Sequence, residues 1–116
     1  MTYDDHKIRQ EAEAIGMTIY YFGLLKRGPT WTSDDETPEV TALQEAHLAN
    51  IRRLVDMGKL VLVGPFMDDV DLRGAYVFKV DSLEEALKLT NTDPMVKSGR
   101  LVFEIHPWMV PKGSLP

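Results

Sequence analysis

The order of the apolar segments is the feature that most constrains the fold of this chain. Residues 18–26 are rich in aromatic and β-branched residues and too short for a typical helix, so they predict a strand. Three further apolar runs, at residues 60–63, 75–80 and 101–106, also predict strands. One helical pattern separates the first strand from the second, and another separates the third from the fourth. This order predicts the α+β class and the split βαβ, or ferredoxin-like, arrangement with a four-stranded antiparallel sheet.

Both predicted helices carry start and stop signals. Thr37 is expected at the N-cap of the first helix with Pro38 at its first position, and Gly58 is expected to end it. The stretch Ser82-Leu83-Glu84-Glu85 is a capping box that begins the second helix, which should end near Asn91. A connection rich in turn residues precedes the first helix and contains Gly28, Pro29, Ser33 and Asp34–Asp35.

The chain is expected to hold one domain, because 116 residues is a typical length for a single domain. We place this domain at residues 18–108, between an N-terminal extension at residues 1–17 and a C-terminal tail at residues 109–116. The extension is polar and is expected to form a short helix or a loose arm that adds little to the core.

Composition excludes several classes of protein. The net charge of −5 and the pI of about 5.1 argue against a nucleic-acid partner. The absence of cysteine excludes disulfide scaffolds, thiol catalysis and Cys-ligated zinc. No apolar run approaches the roughly 20 residues of a membrane helix, and the N-terminus lacks the apolar stretch of a secretory signal. We therefore expect a cytoplasmic protein without a membrane partner.

The predicted strands are apolar on both faces. In the first strand the two alternating sets are Ile19, Tyr21 and Leu25 against Tyr20, Phe22 and Leu24. Two helices cover only one face of a four-stranded sheet, and a solvated second face should be polar. Because most soluble oligomers are symmetric, a second copy of the same sheet is the simplest cover. We therefore predict a homodimer in which the two sheets stack face to face.

His47 is the most informative single residue. At about 100° per residue, His47 falls in the middle of an apolar stripe formed by Val40, Leu43, Ile51 and Leu54. This stripe should face the sheet, where a histidine needs partners for its ring nitrogens. Two interpretations remain open. His47 is either a core histidine bonded to a backbone carbonyl, or an imidazole at the floor of a cleft that is available for proton transfer.

Asp93 is the candidate partner of His47. Asp93 precedes Pro94 after the second helix, so it is also a natural turn residue or N-cap for a short helical turn. Both helices of a split βαβ fold lie on one face of the sheet, which brings Asp93 within reach of the first helix. A carboxylate bonded to one ring nitrogen would fix the tautomer and raise the basicity of the other nitrogen.

Weaker candidates for substrate binding each have a structural alternative. Lys26 and Arg27 either hold a substrate carboxylate or are solvated charges at the end of a strand. Trp31 and Trp108 either line a ligand site or pack in the dimer interface. The turn Gly64-Pro65-Phe66 either brings backbone groups close to a ligand or only ends the second strand.

Other site chemistries are disfavoured by spacing. The stretch Asp69–Gly74 begins like a calcium loop, but Arg73 and Val80 stand where such a loop needs oxygen ligands. The three histidines show no metal-ligand spacing, so no metal is expected. Neither a dinucleotide-binding fingerprint nor a P-loop is present, so no organic cofactor is expected.

Four blocks of the sequence resemble the YCII-related (YciI-like) family. They are His47–Ile51, Gly58–Phe66, Ser82–Ala86 and Asp93-Pro94. Their order and spacing match the family over about residues 18–108. Each block alone is a weak signal, but four in order are specific. The chain departs from the family at Met95, where an aromatic residue is common, and in the N-terminal extension.

The resemblance implies a ferredoxin-like fold that dimerises as an α+β barrel, with a site centred on a His/Asp pair that maps onto His47 and Asp93. Similarity to muconolactone-isomerase-like and dehydrochlorinase-type relatives implies proton transfer on small, often cyclic, organic molecules. The leading hypothesis is therefore a cofactor-independent lyase or isomerase. The alternatives are a non-catalytic module that binds a small ligand and a structural dimerisation module.

Overall fold

The computed structural model describes residues 3–32 and 37–115, so the predicted turn residues Ser33 and Asp34–Asp35 lie outside the described residues. In chain order the elements are α1 (Asp5–Ala14), β1 (Met17–Arg27), α2 (Pro38–Asp56), β2 (Leu60–Pro65), β3 (Leu72–Phe78), α3 (Leu83–Thr90), α4 (Pro94–Lys97) and β4 (Leu101–Pro111). No helix in these two stretches is long and apolar enough to cross a bilayer.

The four strands form one antiparallel sheet in the order β2-β3-β1-β4. Strand β1 is central and pairs with β3 on one side and β4 on the other, so Gly23 lies opposite both Tyr76 and Ile105. This strand order, with helices between β1 and β2 and between β3 and β4, confirms the predicted α+β, ferredoxin-like fold.

The helix ends follow the predicted capping signals. The Thr37 side chain accepts a hydrogen bond from the backbone N–H of Val40 at 3.2 Å and caps α2. Gly58 follows this helix with a φ of +75°, a conformation that favours glycine. The Ser82 hydroxyl accepts from the N–H of Glu85 at 3.0 Å and caps α3.

Strand β4 is longer than its apolar pattern predicts. It continues past His106 to Pro111, because β1 begins at Met17 and offers β4 a partner along its whole length. Val110 pairs with Thr18 in this added part and is buried. Residues 109–111 therefore belong to the sheet, although we had expected them to begin a tail.

The main core lies between the helices and one face of the sheet, and α1 contributes to it. Ala12 is fully buried in this core, and Tyr3 and Ile8 pack against it. Asp5 Oδ1 accepts hydrogen bonds from the Tyr21 hydroxyl and from the backbone N–H of Leu83, which tie α1 to β1 and to the start of α3. The expectation that the N-terminal extension adds little to the core is therefore wrong.

The opposite face of the sheet carries a second apolar cluster, and we call it the open face. Tyr20, Val77 and Val110 are buried there, with Phe22 packed beside them. Trp108 lies edge-to-face against Phe22, with ring centroids 5.1 Å apart, and remains 48% exposed. All four described helices contribute buried residues to the main core on the other face.

Candidate active site

A cavity of about 420 Å³ lies between α2 and the helix-covered face of the sheet. This volume falls within the range of roughly 300–1,000 Å³ that is typical of sites for small molecules. Much of its wall is apolar and is formed by Leu25, Val40, Ile51, Val63, Met95 and Leu101. The polar part of the wall includes His47 and Tyr76. The cavity therefore suits a small, mainly apolar molecule that carries a few polar groups.

Helix α2 places His47 in the cavity wall by simple periodicity. His47 and Leu54 are the buried residues of this helix, and Leu43 and Ile51 pack against the core beside them. Glu45 is exposed and lies at the cavity beside His47. The predicted orientation of His47 towards the sheet is therefore confirmed, and its side chain is only 10% exposed.

Asp93 meets His47 across 46 residues of sequence. Its Oδ2 lies 2.5 Å from Nδ1 of His47, and Asp93 is only 1% exposed. Its other oxygen, Oδ1, accepts a hydrogen bond from the backbone N–H of Met95 at 2.9 Å and so caps α4. The cap and the histidine partner, which were alternatives in the sequence, are both present because each uses a different oxygen.

The contact with Asp93 gives the two ring nitrogens of His47 different roles. A carboxylate only accepts hydrogen bonds, so Nδ1 donates to Asp93, and in the neutral ring Nε2 presents its lone pair. No described residue bonds Nε2, and His47 lines the cavity. The Nε2 atom of the neutral ring is therefore the nitrogen that can accept a hydrogen bond from a molecule in the cavity.

Tyr76 is a second polar group in the cavity wall. It is 3% exposed, and no described residue bonds its buried hydroxyl. Burial, and to a smaller extent the negative charge of Asp93, raises the pKa of Tyr76 above its ordinary value of 10.0. The sequence does not single out Tyr76, because this residue is one of several apolar or aromatic positions in the third strand. Only the register of β3 against β1 places its ring beneath α2.

One end of the cavity is formed by Trp31 and basic side chains. The guanidinium of Arg100 lies 4.1 Å from the centroid of the Trp31 ring, and those of Arg27 and Arg73 each lie 5.3 Å from it. Arg73 and Arg100 also line the cavity, a role that the sequence does not predict for them. No local pattern could have selected them, because the ends of different strands bring these residues to the same ring.

The weaker predicted residues divide between the cavity and other surfaces. Three of them line the cavity, namely Trp31, Gly64 and Pro65. Lys26 alternates with Leu25 and so lies on the open face, where its Nζ is 3.2 Å from Glu104. Arg27 pairs with Asp69 at 2.6 Å and is not among the described lining residues, and neither is Phe66. Trp108 lies on the open face, away from the cavity.

No cluster of metal-binding side chains occurs within residues 3–32 and 37–115. In the stretch that resembles the start of a calcium loop, the Asp69 carboxylate contacts the guanidinium groups of Arg27 and Arg73. The polar side chains that line the cavity are those of Thr41, Gln44, Glu45, His47, Arg73, Tyr76 and Arg100, with the indole of Trp31.

The family model of the YCII-related domain matches residues 25–109. This chain belongs to the YCII-related family. The match includes both His47 and Asp93 and leaves out α1. The resemblance of the four sequence blocks to this family is therefore confirmed.

Two individual proteins are similar to this YCII-related chain. The uncharacterized protein YjpA of Bacillus subtilis (strain 168) is 39% identical over 66 residues, which cover 57% of this chain and 75% of YjpA. The structure of 5-chloro-2-hydroxyhydroquinone dehydrochlorinase (TftG) from Burkholderia phenoliruptrix, in complex with 2,5-dihydroxybenzoquinone, superposes with a TM-score of 0.55. It shares 22% identity and covers 77% of this chain and 92% of its own. At this identity the similarity shows a common fold.

Proposed function

We propose that this YCII-related protein is a small-molecule enzyme of the lyase or isomerase type. His47 would act as general base and acid, and Asp93 would orient it. The observation that carries the proposal is the 2.5 Å contact between Asp93 Oδ2 and His47 Nδ1 in the wall of a cavity of about 420 Å³. The contact leaves Nε2 as the nitrogen that meets a bound molecule.

The proposed reaction begins at a carbon next to a carbonyl group. Nε2 takes the proton from this carbon, the C–H electron pair forms a carbon–carbon double bond, and the carbonyl oxygen becomes negative. In an isomerase, His47 returns the proton to another atom of the same molecule. In a lyase, the carbonyl re-forms, the carbon–carbon double bond shifts to the next carbon, and a leaving group departs from that carbon with its electron pair. The proton held by His47 then passes to the leaving group. A positioned acid–base group of this kind typically contributes about 10²–10⁴-fold to the rate.

The shape and polarity of the cavity suggest the class of substrate. Its volume and apolar wall suit a single substituted ring, and Tyr76, Arg73 and Arg100 are hydrogen-bond donors suited to oxygen substituents. The fold neighbour TftG is named for a chlorinated hydroxyhydroquinone and was solved with a dihydroxybenzoquinone. We therefore propose oxygen-substituted ring compounds as substrates for the present chain.

Replacement of His47 tests the proposal. The wild type and His47→Ala are compared for turnover of 5-chloro-2-hydroxyhydroquinone, for exchange of carbon-bound hydrogen of cyclic ketones in D₂O, and for binding of 2,5-dihydroxybenzoquinone. His6→Ala is the matched control, because His6 lies on α1, is exposed and does not line the cavity.

We expect His47→Ala to lower turnover or exchange by about 10²–10⁴-fold and the control to retain the wild-type rate. Unchanged turnover in His47→Ala would exclude the acid–base role. A wild type that binds the quinone but neither turns over nor exchanges any probe would instead support the alternative function, a non-catalytic module that binds a small ligand.

We further propose that the protein is a homodimer joined through the open face. Tyr20, Phe22 and Val77 give this face an apolar centre, and Trp108 remains about half exposed at 48%. Exposed apolar patches of this kind mark interaction surfaces. A second copy offers a matching surface because the same residues meet in a symmetric pair.

A further inference from the structure

Two buried polar side-chain atoms have no hydrogen-bond partner among the described residues, and one of them belongs to the cavity. They are Nε of Arg27 and the hydroxyl oxygen of Tyr76, and only Tyr76 lines the cavity. Buried hydroxyl groups are nearly always hydrogen-bonded in native proteins, because leaving one unpaired is costly. The Tyr76 hydroxyl therefore needs a partner that no described residue supplies, and a molecule bound in the cavity can supply it.

The ring of Tyr76 is held in place by its neighbours. Phe103 packs edge-to-face against it with centroids 4.8 Å apart, and Phe78 lies at 5.8 Å. Gly23, which pairs with Tyr76 across the sheet, leaves room for Phe103, since a Cβ at this position would lie 3.1 Å from the Phe103 ring. The direction of the hydroxyl is thus set by packing before any ligand binds, as a preorganised hydrogen-bond donor requires.

We propose that Tyr76 is a further catalytic residue, whose hydroxyl donates a hydrogen bond to the substrate oxygen that becomes negative as His47 takes the carbon-bound proton. This inference rests on the proposed function and deepens it. The substrate would then be a molecule with a carbonyl or enol group next to the reacting carbon. The hydrogen on this carbon would face Nε2 of His47, and the oxygen would face the Tyr76 hydroxyl. An apolar molecule without such an oxygen would leave Tyr76 unpaired.

The ionisation state of Tyr76 agrees with this role. Because burial and the charge of Asp93 raise its pKa, the hydroxyl stays protonated at neutral pH and remains a donor. The protonated phenol also adds no negative charge to a cavity whose lining already includes the Glu45 carboxylate, with Asp93 bonded to His47. A negative oxygen on the substrate therefore meets a donor at this position, and the interaction strengthens as charge develops in the transition state.

The experiment compares Tyr76→Phe with wild type and with Tyr3→Phe. The control removes a tyrosine hydroxyl outside the cavity, where this hydroxyl is hydrogen-bonded to that of Tyr21. Three quantities are measured: the Tm without ligand, the Kd for 2,5-dihydroxybenzoquinone by calorimetric titration, and kcat and KM for 5-chloro-2-hydroxyhydroquinone. We expect Tyr76→Phe to keep or raise the Tm, because it removes an unpaired buried hydroxyl. We expect its Kd to weaken by about 10-fold and its kcat to fall by about 10²-fold or more, with KM less affected.

Each other outcome overturns the inference in a distinct way. A Tm several degrees below wild type would show that the Tyr76 hydroxyl has a structural partner in the folded protein. Wild-type kcat and Kd in Tyr76→Phe, together with loss of turnover in His47→Ala, would reject the role of Tyr76 and retain the proposed function. A wild-type protein that neither binds nor converts the two ring compounds would reject the proposed substrate class, and the role of Tyr76 with it.

Discussion

Replacing Asp93 with asparagine separates the two roles of this side chain. The amide oxygen of Asn can still accept the hydrogen bond from the Met95 N–H, and Asn caps helices about as well as Asp. The amide nitrogen would then face Nδ1 of His47 and donate a hydrogen bond to it, where the carboxylate accepted one. The hydrogen of the ring must move to Nε2, so the nitrogen that faces the cavity can no longer accept a proton.

The structure sets the expected magnitudes. Asp93→Asn exchanges a hydrogen bond of an ionised group, about 1.5–3 kcal/mol, for a neutral one of about 1 kcal/mol. We therefore expect the free energy of unfolding to fall by only about 1 kcal/mol. Asp93→Ala loses the cap as well and leaves a buried imidazole without a partner, so we expect a loss of about 3 kcal/mol or more. Activity should fall by about 10²–10⁴-fold in both variants.

Urea unfolding of wild type, Asp93→Asn and Asp93→Ala measures the stability changes, and Asp56→Asn on the exposed side of α2 is the control. Long-range ¹H–¹⁵N spectra of labelled histidine report which ring nitrogen carries the hydrogen, without any substrate. If Asp93→Asn retains hydrogen on Nδ1 and the wild-type rate, the assignment of Nε2 as the base is wrong. If the two Asp93 variants lose the same free energy, the capping role of Oδ1 is wrong.

Three further predictions concern stability and assembly. Burial, and to a smaller extent the hydrogen bond to Asp5, raises the pKa of Tyr21 in the folded protein. The unfolded chain therefore loses this proton at a lower pH than the folded protein does. Above pH 10 Tyr21 alone should lower the free energy of unfolding by up to about 1.4 kcal/mol per pH unit, in addition to the contribution of Tyr76, and Tyr21→Phe should reduce the slope in urea titrations by up to this amount. Ala12→Glu, in the core, should lower the free energy of unfolding by about 3 kcal/mol or more, whereas the exposed neighbour Ala14→Glu should change it by less than about 0.5 kcal/mol. Trp108→Glu on the open face should yield monomers in analytical ultracentrifugation, and Leu87→Glu on α3 should not; a dimeric Trp108→Glu would contradict the proposed interface.

Features that depend on short stretches of sequence were predictable. The caps at Thr37 and Ser82 require only a side-chain oxygen within a few residues of an unpaired backbone N–H, so local sequence determines them. The orientation of His47 follows from the helical period, because the apolar stripe of α2 has one direction in which to be buried. The order of strands and helices then fixes the fold class.

Features that depend on contacts between distant segments were not predictable. The polar sequence of α1 conceals the burial of Ala12, which depends on its position against β1. Strand β1 is apolar on both faces, so the pattern does not tell which face meets the helices, and Lys26 was considered a candidate although only its neighbour Leu25 reaches the cavity. Tyr76 depends on the same choice of face and therefore escaped notice.

Asp93 shows why weighing a structural role against a chemical role misjudges some residues. Oδ1 bonds the Met95 N–H at 2.9 Å, and this bond fixes the rotation of the carboxylate relative to α4. Because the two oxygens share one plane, the same rotation aims Oδ2 at Nδ1 of His47. Met95 is itself buried and lines the cavity, so the helix that orients the acid also forms the wall beside the base. The hydrogen bond that caps α4 thus orients the carboxylate towards His47. The Asp-Pro sequence, which by itself indicates a turn or an N-cap, holds Asp93 in place for this contact.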